Sequence, residues 1–259
     1  MLLPCAQIHV WRAPLHHSPR ELQRYARLLS EDEAVRAGRF LFPRARNRFI
    51  AARGMLRELL AAYLDIPPRE LRFSYNGHGK PGLQAPYFNL SHTADTVVYA
   101  MSRTAEVGVD IERMRRDFDW EAMSFALPDK ERAELRGPDP HAAFLRGWVR
   151  REALCKAAGQ GLSGMRPRGA REGNPGPRPE EVGVRRWSVH ELSLGEDVVG
   201  AVATDGSGMA VRYFNWTERG ALLRKGKPGE NCCFERQSQG GCDRNDAVRG
   251  VPSEALPAT

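Results

Sequence analysis

Two acidic residues alternate along a predicted strand near the middle of the chain. The segment at 107–112 reads Val-Gly-Val-Asp-Ile-Glu. Because successive side chains of a strand point to opposite faces, Asp110 and Glu112 share one face while Val109 and Ile111 enter the core. Two carboxylates on one face suit Mg²⁺, whose octahedral shell waters and phosphate oxygens would complete. The alternative, an acidic pair on the protein surface, stays open for this segment taken alone.

A second set of chemically useful side chains lies on a predicted helix at 142–158. Trp148, Glu152 and Lys156 are spaced four residues apart and therefore share one helical face. A carboxylate beside an ammonium could supply a third metal ligand next to a charge that binds phosphate. The alternative is a solvent-exposed ion pair, which would contribute only about 0.3–0.5 kcal/mol.

Possible anion-binding groups precede both segments. A glycine-rich turn at 76–82 contains Lys80, and Asn-Leu-Ser-His follows at 89–92. Small residues let backbone N–H groups approach an anion, to which lysine, serine and histidine add donors. A basic run from Arg36 to Arg48 lies beside Phe40 and Phe42; such a run is usually a solvated face. Each of these signals is weak when it is taken alone.

Helices and strands that would position these residues follow from capping residues and apolar periodicity. Helices are predicted at about 18–29, in a short segment that begins at residue 30, and at 44–64, 119–125, 129–135 and 142–158. Strands are predicted at 71–75, 96–101, 107–111, 186–194, 198–204 and 209–216. We expect an α/β (α+β) fold of two similar halves, residues 1–105 and 106–224. A loop is expected at 163–181 and a disordered tail at 225–259.

Composition narrows the class of protein. The 259 residues carry a net charge of +7, which indicates an anionic ligand or partner. Five cysteines, an odd number, predict neither a disulfide framework nor a tetrahedral metal site. We read no signal peptide and no membrane span, and therefore expect a cytoplasmic protein. Motifs of nucleic-acid-binding proteins are absent from the sequence, so that class ranks last.

Together, the motifs resemble those of the Sfp-type 4′-phosphopantetheinyl transferases. That family shows a Gly-Lys-Pro turn, a Phe-Asn-x-Ser-His stretch, a Gly-x-Asp-x-Glu strand and a Trp-x-x-Lys-Glu-(Ala/Ser)-x-x-Lys helix. The four occur here in the same order, at 79–81, 88–92, 108–112 and 148–156. A Gly-Gln-Gly-Leu ending at 159–162, a Leu-Ser-x-x-Glu stretch at 29–33 and the helix that carries Arg48 fit as well.

The resemblance implies an enzyme of two similar α/β halves in a pseudo-two-fold arrangement, with coenzyme A in the cleft between them. It would transfer phosphopantetheine to a serine of an acyl, polyketide or peptidyl carrier protein, with Mg²⁺. The implied metal ligands are Asp110, Glu112 and Glu152. The implied coenzyme A-binding residues are Arg36, Arg48, Lys80, Asn89, Ser91, His92 and Lys156, and the implied catalytic residues are Glu152 and Lys156.

Proton transfer and two departures from the motif complete the expectations. Glu152 is the first candidate for the base, and an acidic residue at 129–131 is the second. Arg151 stands where the family usually has lysine, and Val149 replaces a small or hydroxyl residue. We expect a monomer, because two halves already form the cleft. The alternatives are a non-catalytic protein that docks carrier proteins and, less favoured, a basic nucleic-acid-binding protein.

Overall fold

The elements of the chain are given by a computed structural model that describes residues 2–115, 119–160 and 186–218. The predicted loop at 163–181, the tail at 225–259 and the Gly-Leu pair at 161–162 lie outside these ranges. Strands are β1 (Gln7–Pro14), β2 (Ser74–Tyr75), β3 (Pro81–Gly82), β4 (Tyr87–Thr93), β5 (Thr96–Ser102), β6 (Val107–Arg113), β7 (Ser188–Glu191), β8 (Val198–Thr204) and β9 (Ala210–Asn215). Helices are α1 (Pro19–Ala26), α2 (Glu31–Gly38), α3 (Pro43–Leu64), α4 (Asp129–Glu134) and α5 (Pro140–Ala157), with 3₁₀ turns at Pro68–Glu70, Glu121–Ala126 and Trp216–Glu218. Within the described ranges, no helix combines the length and the apolar character needed to cross a bilayer.

The two halves of the chain repeat one strand topology. In the first half the sheet order is β4-β5-β1, and in the second it is β7-β8-β6, with antiparallel neighbours in both. The long helix lies between the first and second strands of each repeat, as α3 and as α5. The predicted fold of two similar α/β halves is confirmed. Strand β9, although late in sequence, pairs in parallel with β1 and extends the first sheet.

Strand β1 was not predicted, and its environment explains the omission. It lies between β5 and β9 in the sheet, and side chains from both of its faces pack into hydrophobic clusters. Ile8 and Val10 pack between the sheets, whereas Trp11 packs toward α3. A strand buried on both faces lacks the polar alternation that marks a half-exposed strand. The strand predicted at 71–75 is shorter, Ser74–Tyr75, and the helix predicted at 119–125 is the 3₁₀ turn Glu121–Ala126.

Helix α3 packs its apolar stripe on the first sheet, with Leu56, Leu59 and Leu60 fully buried. Arg57 lies beside that stripe, and only 1% of its side chain is exposed. Its guanidinium donates to Glu33 at 2.6 Å and to the carbonyls of Pro68 and Leu71. A buried arginine is stable where its donors meet a carboxylate and carbonyls, as the donors of Arg57 do here.

Helix α5 approaches the second sheet at a glycine. A Cβ atom on Gly108 would lie 2.1 Å from the carbonyl oxygen of Ala153 and 2.2 Å from the amide nitrogen of Ala157. Both are backbone atoms of α5, which cannot yield as a flexible side chain would. The absence of a side chain at 108 therefore sets how closely the helix lies against β6, and so where Glu152 and Lys156 stand.

Side chains of β4 join the two sheets at their edges. Asn89, Ser91 and Thr93 alternate along β4 and accept hydrogen bonds from the backbone N–H groups of Val109, Ile111 and Arg113 on β6. The distances are 3.0, 3.4 and 3.1 Å. Both strands are edge strands, and an edge strand leaves a row of backbone groups without partners. We call these three side chains the polar ladder. It supplies acceptors for backbone N–H groups at the edge of β6, and it joins the two halves of the chain.

We predict that Gly108→Ala lowers the free energy of unfolding by at least about 3 kcal/mol, because the new methyl group would overlap the α5 backbone. Urea denaturation of the purified variant measures this. The matched control is Gly38→Ala, whose Cβ would meet no atom within 4 Å. Equal stability of the two variants would contradict the proposed close packing.

We predict that Asn89→Leu destabilises the fold by about 1–3 kcal/mol, because the buried N–H of Val109 loses its acceptor. Chemical denaturation checks the value. A variant as stable as the parent would show that the ladder contact at this position contributes nothing.

Candidate active site

The functional side chains meet where β4, β6 and α5 come together. Asp110 on β6 is 2.6 Å from the Lys156 ammonium on α5, and the Ser91 hydroxyl on β4 donates to the same Asp110 oxygen at 2.8 Å. Lys156 also donates to Ser91 at 3.2 Å. Three residues from three separate sequence motifs therefore form one hydrogen-bonded group, to which both halves of the chain contribute.

Glu152 lies beside this group, and its pKa is raised. It is 6% exposed, and burial together with the negative charge of Asp110 raises its pKa from 4.5 to about 7. Nearby Lys156 opposes this shift only in part. The alternative considered from the sequence, an exposed ion pair of Glu152 with Lys156, is not formed, because Lys156 pairs with Asp110.

Two carboxylate oxygens in the site are buried without a hydrogen-bond partner, Asp110 Oδ2 and Glu152 Oε1. A buried carboxylate oxygen is costly unless it meets a donor or a cation. Oxygen ligands of this kind are those that Mg²⁺ prefers. Asp110 and Glu152 therefore offer oxygen atoms of the kind that bind a divalent cation.

Glu112 stands on the same face of β6, two residues from Asp110. Burial and the neighbouring Asp110 charge raise its pKa, and a hydrogen bond from the Thr93 hydroxyl at 3.1 Å opposes the shift. Within residues 2–115, 119–160 and 186–218, no three His, Cys, Asp or Glu side chains are close enough together to form a complete metal site. The three-carboxylate metal site stays a prediction.

The predicted phosphate-binding residues His92 and Arg48 lie beside this group. Burial, and then the positive charges of Lys156 and Arg48, lower the pKa of His92. A neutral imidazole at neutral pH can donate or accept a hydrogen bond but adds no charge. Arg48 donates to Asp95 at 2.7 and 3.1 Å, and Asp95 also accepts from Arg44.

Three other predicted coenzyme A-binding residues have contacts of their own. Lys80 donates to Glu106 at 3.0 Å and to the carbonyl of Ala157 at 3.2 Å, which ties the glycine-rich turn to the end of α5. The side-chain amide oxygen of Asn89 accepts a hydrogen bond in the polar ladder. Arg36 is exposed on α2, with its guanidinium 5.5 Å from the ring centre of Phe49. Their binding of coenzyme A stays a prediction.

The structure gives contacts for Glu131, in the stretch proposed to hold the second candidate for the base, and for Val149, one departure from the motif. Glu131 is 3.5 Å from Arg150, which also pairs with Glu134 and Glu191 at 3.1 and 3.0 Å. This cluster connects α4, α5 and β7. Val149 is 1% exposed in the core between α5 and the second sheet, so its apolar side chain serves packing.

Two residues of the site escaped the sequence interpretation, Thr93 and Asp95. Thr93 had a signal, since small polar residues alternate at 89, 91 and 93 and so share one face of a strand. Asp95 follows β4 in a turn and pairs with arginines far away in sequence. No local pattern could have identified that pairing.

Comparison with known proteins identifies the family. The model of the family "4′-phosphopantetheinyl transferase, N-terminal" matches residues 13–104, and that of the "4′-phosphopantetheinyl transferase superfamily" matches residues 106–192. The 4′-phosphopantetheinyl transferase HetI of a Nostoc species is 35% identical over 225 residues, 81% of this chain and 92% of the relative. A putative 4′-phosphopantetheinyl transferase of Synechocystis is 34% identical over 149 residues, 54% of this chain and 61% of the relative.

A human relative is more distant. The L-aminoadipate-semialdehyde dehydrogenase-phosphopantetheinyl transferase of Homo sapiens is 30% identical over 162 residues, 52% of this chain and 50% of the relative. Family models that span both halves, with a relative matched over nearly its whole length, confirm the resemblance found in the motifs. This chain belongs to the 4′-phosphopantetheinyl transferase superfamily.

Proposed function

We propose that this chain transfers the 4′-phosphopantetheine arm of coenzyme A, with Mg²⁺, to a serine of an acyl, polyketide or peptidyl carrier protein. The other product is 3′,5′-ADP. One observation carries the proposal: the unpartnered buried oxygens of Asp110 and Glu152 lie beside the Lys156 ammonium at the junction of the two halves. A cluster of this kind suits a cation together with a phosphate ester.

Asp110, Glu112 and Glu152 would hold the Mg²⁺ ion in this proposal. When bound, Mg²⁺ supplies positive charge that stabilises the negative charge developing on phosphoryl oxygens. Lys156 binds one phosphate of the pyrophosphate. An ammonium has three N–H donors, and its contacts to Asp110 and Ser91 use two of them, so one is available to a phosphate oxygen.

The transfer exchanges one bond to phosphorus for another. The serine oxygen of the carrier attacks the β-phosphorus, a new oxygen–phosphorus bond forms, and the bond to the bridging oxygen breaks as 3′,5′-ADP leaves with the electron pair. The serine proton must pass to a base. Glu152 is the proposed base, directly or through water, because its buried carboxylate lies beside Asp110 and Lys156, where the phosphate would bind.

The nucleotide end of coenzyme A would lie along β4 and the helices of the first half. Arg48 and Arg36 supply charge to the 3′-phosphate, and Ser91 and the neutral His92 supply hydrogen-bonding groups. Lys80 and its turn border the adenine. Asn89 supports this wall by holding the β6 backbone.

A single chain holds every residue in this scheme. Ser91 comes from the first half, whereas Asp110 and Lys156 come from the second. We therefore propose a monomer that acts in the cytoplasm on carrier proteins, without a nucleic-acid or membrane partner.

We predict that an apo carrier protein incubated with this chain, coenzyme A and Mg²⁺ gains the mass of one phosphopantetheine. Intact-protein mass spectrometry measures the gain over time for fatty-acid, polyketide and peptide carriers. Asp110→Ala, or a chelator, should reduce the rate by about 100-fold or more, because negative charge on the phosphoryl oxygens is then not neutralised.

The control variant for this assay is Glu70→Ala, which removes an exposed carboxylate from a 3₁₀ turn and should leave the rate unchanged. No mass gain on any carrier class, despite measured binding of coenzyme A, would instead favour a non-catalytic protein that docks carriers.

We predict a pH-dependent stability difference between the metal-free parent and Glu152→Gln. The folded pKa of Glu152, about 7, lies above its ordinary value of 4.5, so the folded parent retains a proton that the unfolded chain releases. The parent should therefore lose stability as pH rises from about 4.5 to about 7, by on the order of 2 kcal/mol, and the glutamine variant should lose less, because the raised pKa of Glu112 acts in both proteins.

Urea denaturation in the presence of a chelator, at pH 5 and at pH 8, measures this difference. The comparison uses the change between the two pH values for each protein, so any constant effect of the amide cancels. Identical changes for the parent and the variant would contradict the raised pKa.

A further inference from the structure

Thr93 makes two hydrogen bonds to β6, the strand that carries the proposed metal ligands Asp110 and Glu112. Its hydroxyl oxygen accepts the backbone N–H of Arg113 at 3.1 Å, and the same hydroxyl donates to Glu112 Oε2 at 3.1 Å. A hydroxyl has a single proton to donate. Because an N–H group can only donate, the contact with Arg113 leaves that proton for Glu112. The backbone of β6 thus fixes the direction of the hydrogen bond to its own carboxylate.

The same arrangement recurs one step along the polar ladder. Ser91 accepts the N–H of Ile111 and donates to Asp110. Each hydroxyl of β4 therefore lies between a β6 backbone N–H and the carboxylate of the preceding residue. Asn89 accepts the N–H of Val109 in the same way, but the preceding residue is Gly108, which has no side chain to orient.

Glu112 needs such a contact more than Asp110 does. Asp110 is already held by Lys156 and Ser91. Glu112 has a longer, more flexible side chain, and the Asp110 charge repels it.

We propose that Thr93 is a positioning residue for the metal ligand Glu112. A hydroxyl from the first half of the chain holds a carboxylate of the second half in the orientation that receives the cation. The inference rests on the proposed Mg²⁺ site and adds to it that the first half, without supplying a metal ligand, helps to set the affinity for metal. Groups that hydrogen-bond to a metal ligand commonly change metal affinity by about 10–100-fold when they are removed.

The test compares three variants by their response to Mg²⁺. Thr93→Val keeps the shape and removes the hydroxyl, whereas Thr93→Ser keeps the hydroxyl. Thr204→Val is the matched control, since Thr204 is buried on β8 and its hydroxyl accepts the N–H of Gly206 at 3.1 Å. It makes the same chemical change and loses the same kind of backbone hydrogen bond, outside the site.

The first readout is the thermal midpoint of each protein with coenzyme A as Mg²⁺ is raised, without carrier. The second is the Mg²⁺ concentration that gives half of the maximal transfer rate. We expect Thr93→Val to raise the half-saturating Mg²⁺ concentration about 10-fold or more in both. Thr93→Ser should stay within about 3-fold of the parent, because the hydrogen bond is restored. Thr204→Val should lower the midpoint without changing the Mg²⁺ dependence.

A Thr93→Val variant with the parent's Mg²⁺ dependence would overturn the positioning role and leave the proposed function intact. A loss in Thr93→Val that Thr93→Ser does not restore would also overturn it, since the hydroxyl would then not be the cause. If the parent itself showed no Mg²⁺ dependence in either readout, the proposed metal site would fail, and this inference with it.

Discussion

The edge of β6 imposes the constraint on which the site depends. Its outward backbone N–H groups need acceptors, and among the strands that the structure describes none pairs with that edge through backbone carbonyl oxygens. Side chains of β4 supply the acceptors instead, at Asn89, Ser91 and Thr93. Because those side chains must reach the backbone, β4 lies close to β6, and the hydroxyls then also reach Asp110 and Glu112. One packing requirement thus joins the halves and orders the carboxylates.

Negative charge is the second constraint. Burial, and then the negative charge of Asp110, raise the pKa of both Glu112 and Glu152. The Lys156 ammonium pairs directly with the Asp110 carboxylate, and it opposes the pKa shifts of Glu112 and Glu152 only in part. In the protein without its ligands, Glu152 is therefore partly protonated near pH 7. A divalent cation would replace that proton, which links metal binding to the acid–base state of the site.

Close packing of α5 against β6 also positions side chains of the site. Gly108 lets the helix backbone lie directly on β6, which brings Glu152 and Lys156 to the level of Asp110. Val149, which departs from the family motif, faces the core on the opposite side of the helix from solvent. The departure therefore affects packing more directly than charge. Arg151, the other departure, lies next to Glu152 in sequence, and its charge lowers the pKa of that group slightly.

Much of this protein could be predicted from the sequence, because the informative patterns are local. Alternation placed Asp110 and Glu112 on one face of a strand, and helical spacing placed Glu152 and Lys156 on one face of a helix. Four motifs in order identified the family, and with it the repeated α/β fold. Strand β1 was missed because it is buried on both faces, and the partners of Arg57 could not be predicted because they are distant in sequence.

The partners of the site residues were decided by the tertiary structure alone. Sequence spacing suggested a pair of Glu152 with Lys156, but in the fold Lys156 pairs with Asp110 across the gap between helix and strand. Ser91 and Thr93 gained their roles only when β4 lay beside the edge of β6. Local spacing determines which side chains share a face; which face meets which depends on the packing of elements far apart in the chain, and that packing sets hydrogen bonds, burial and protonation.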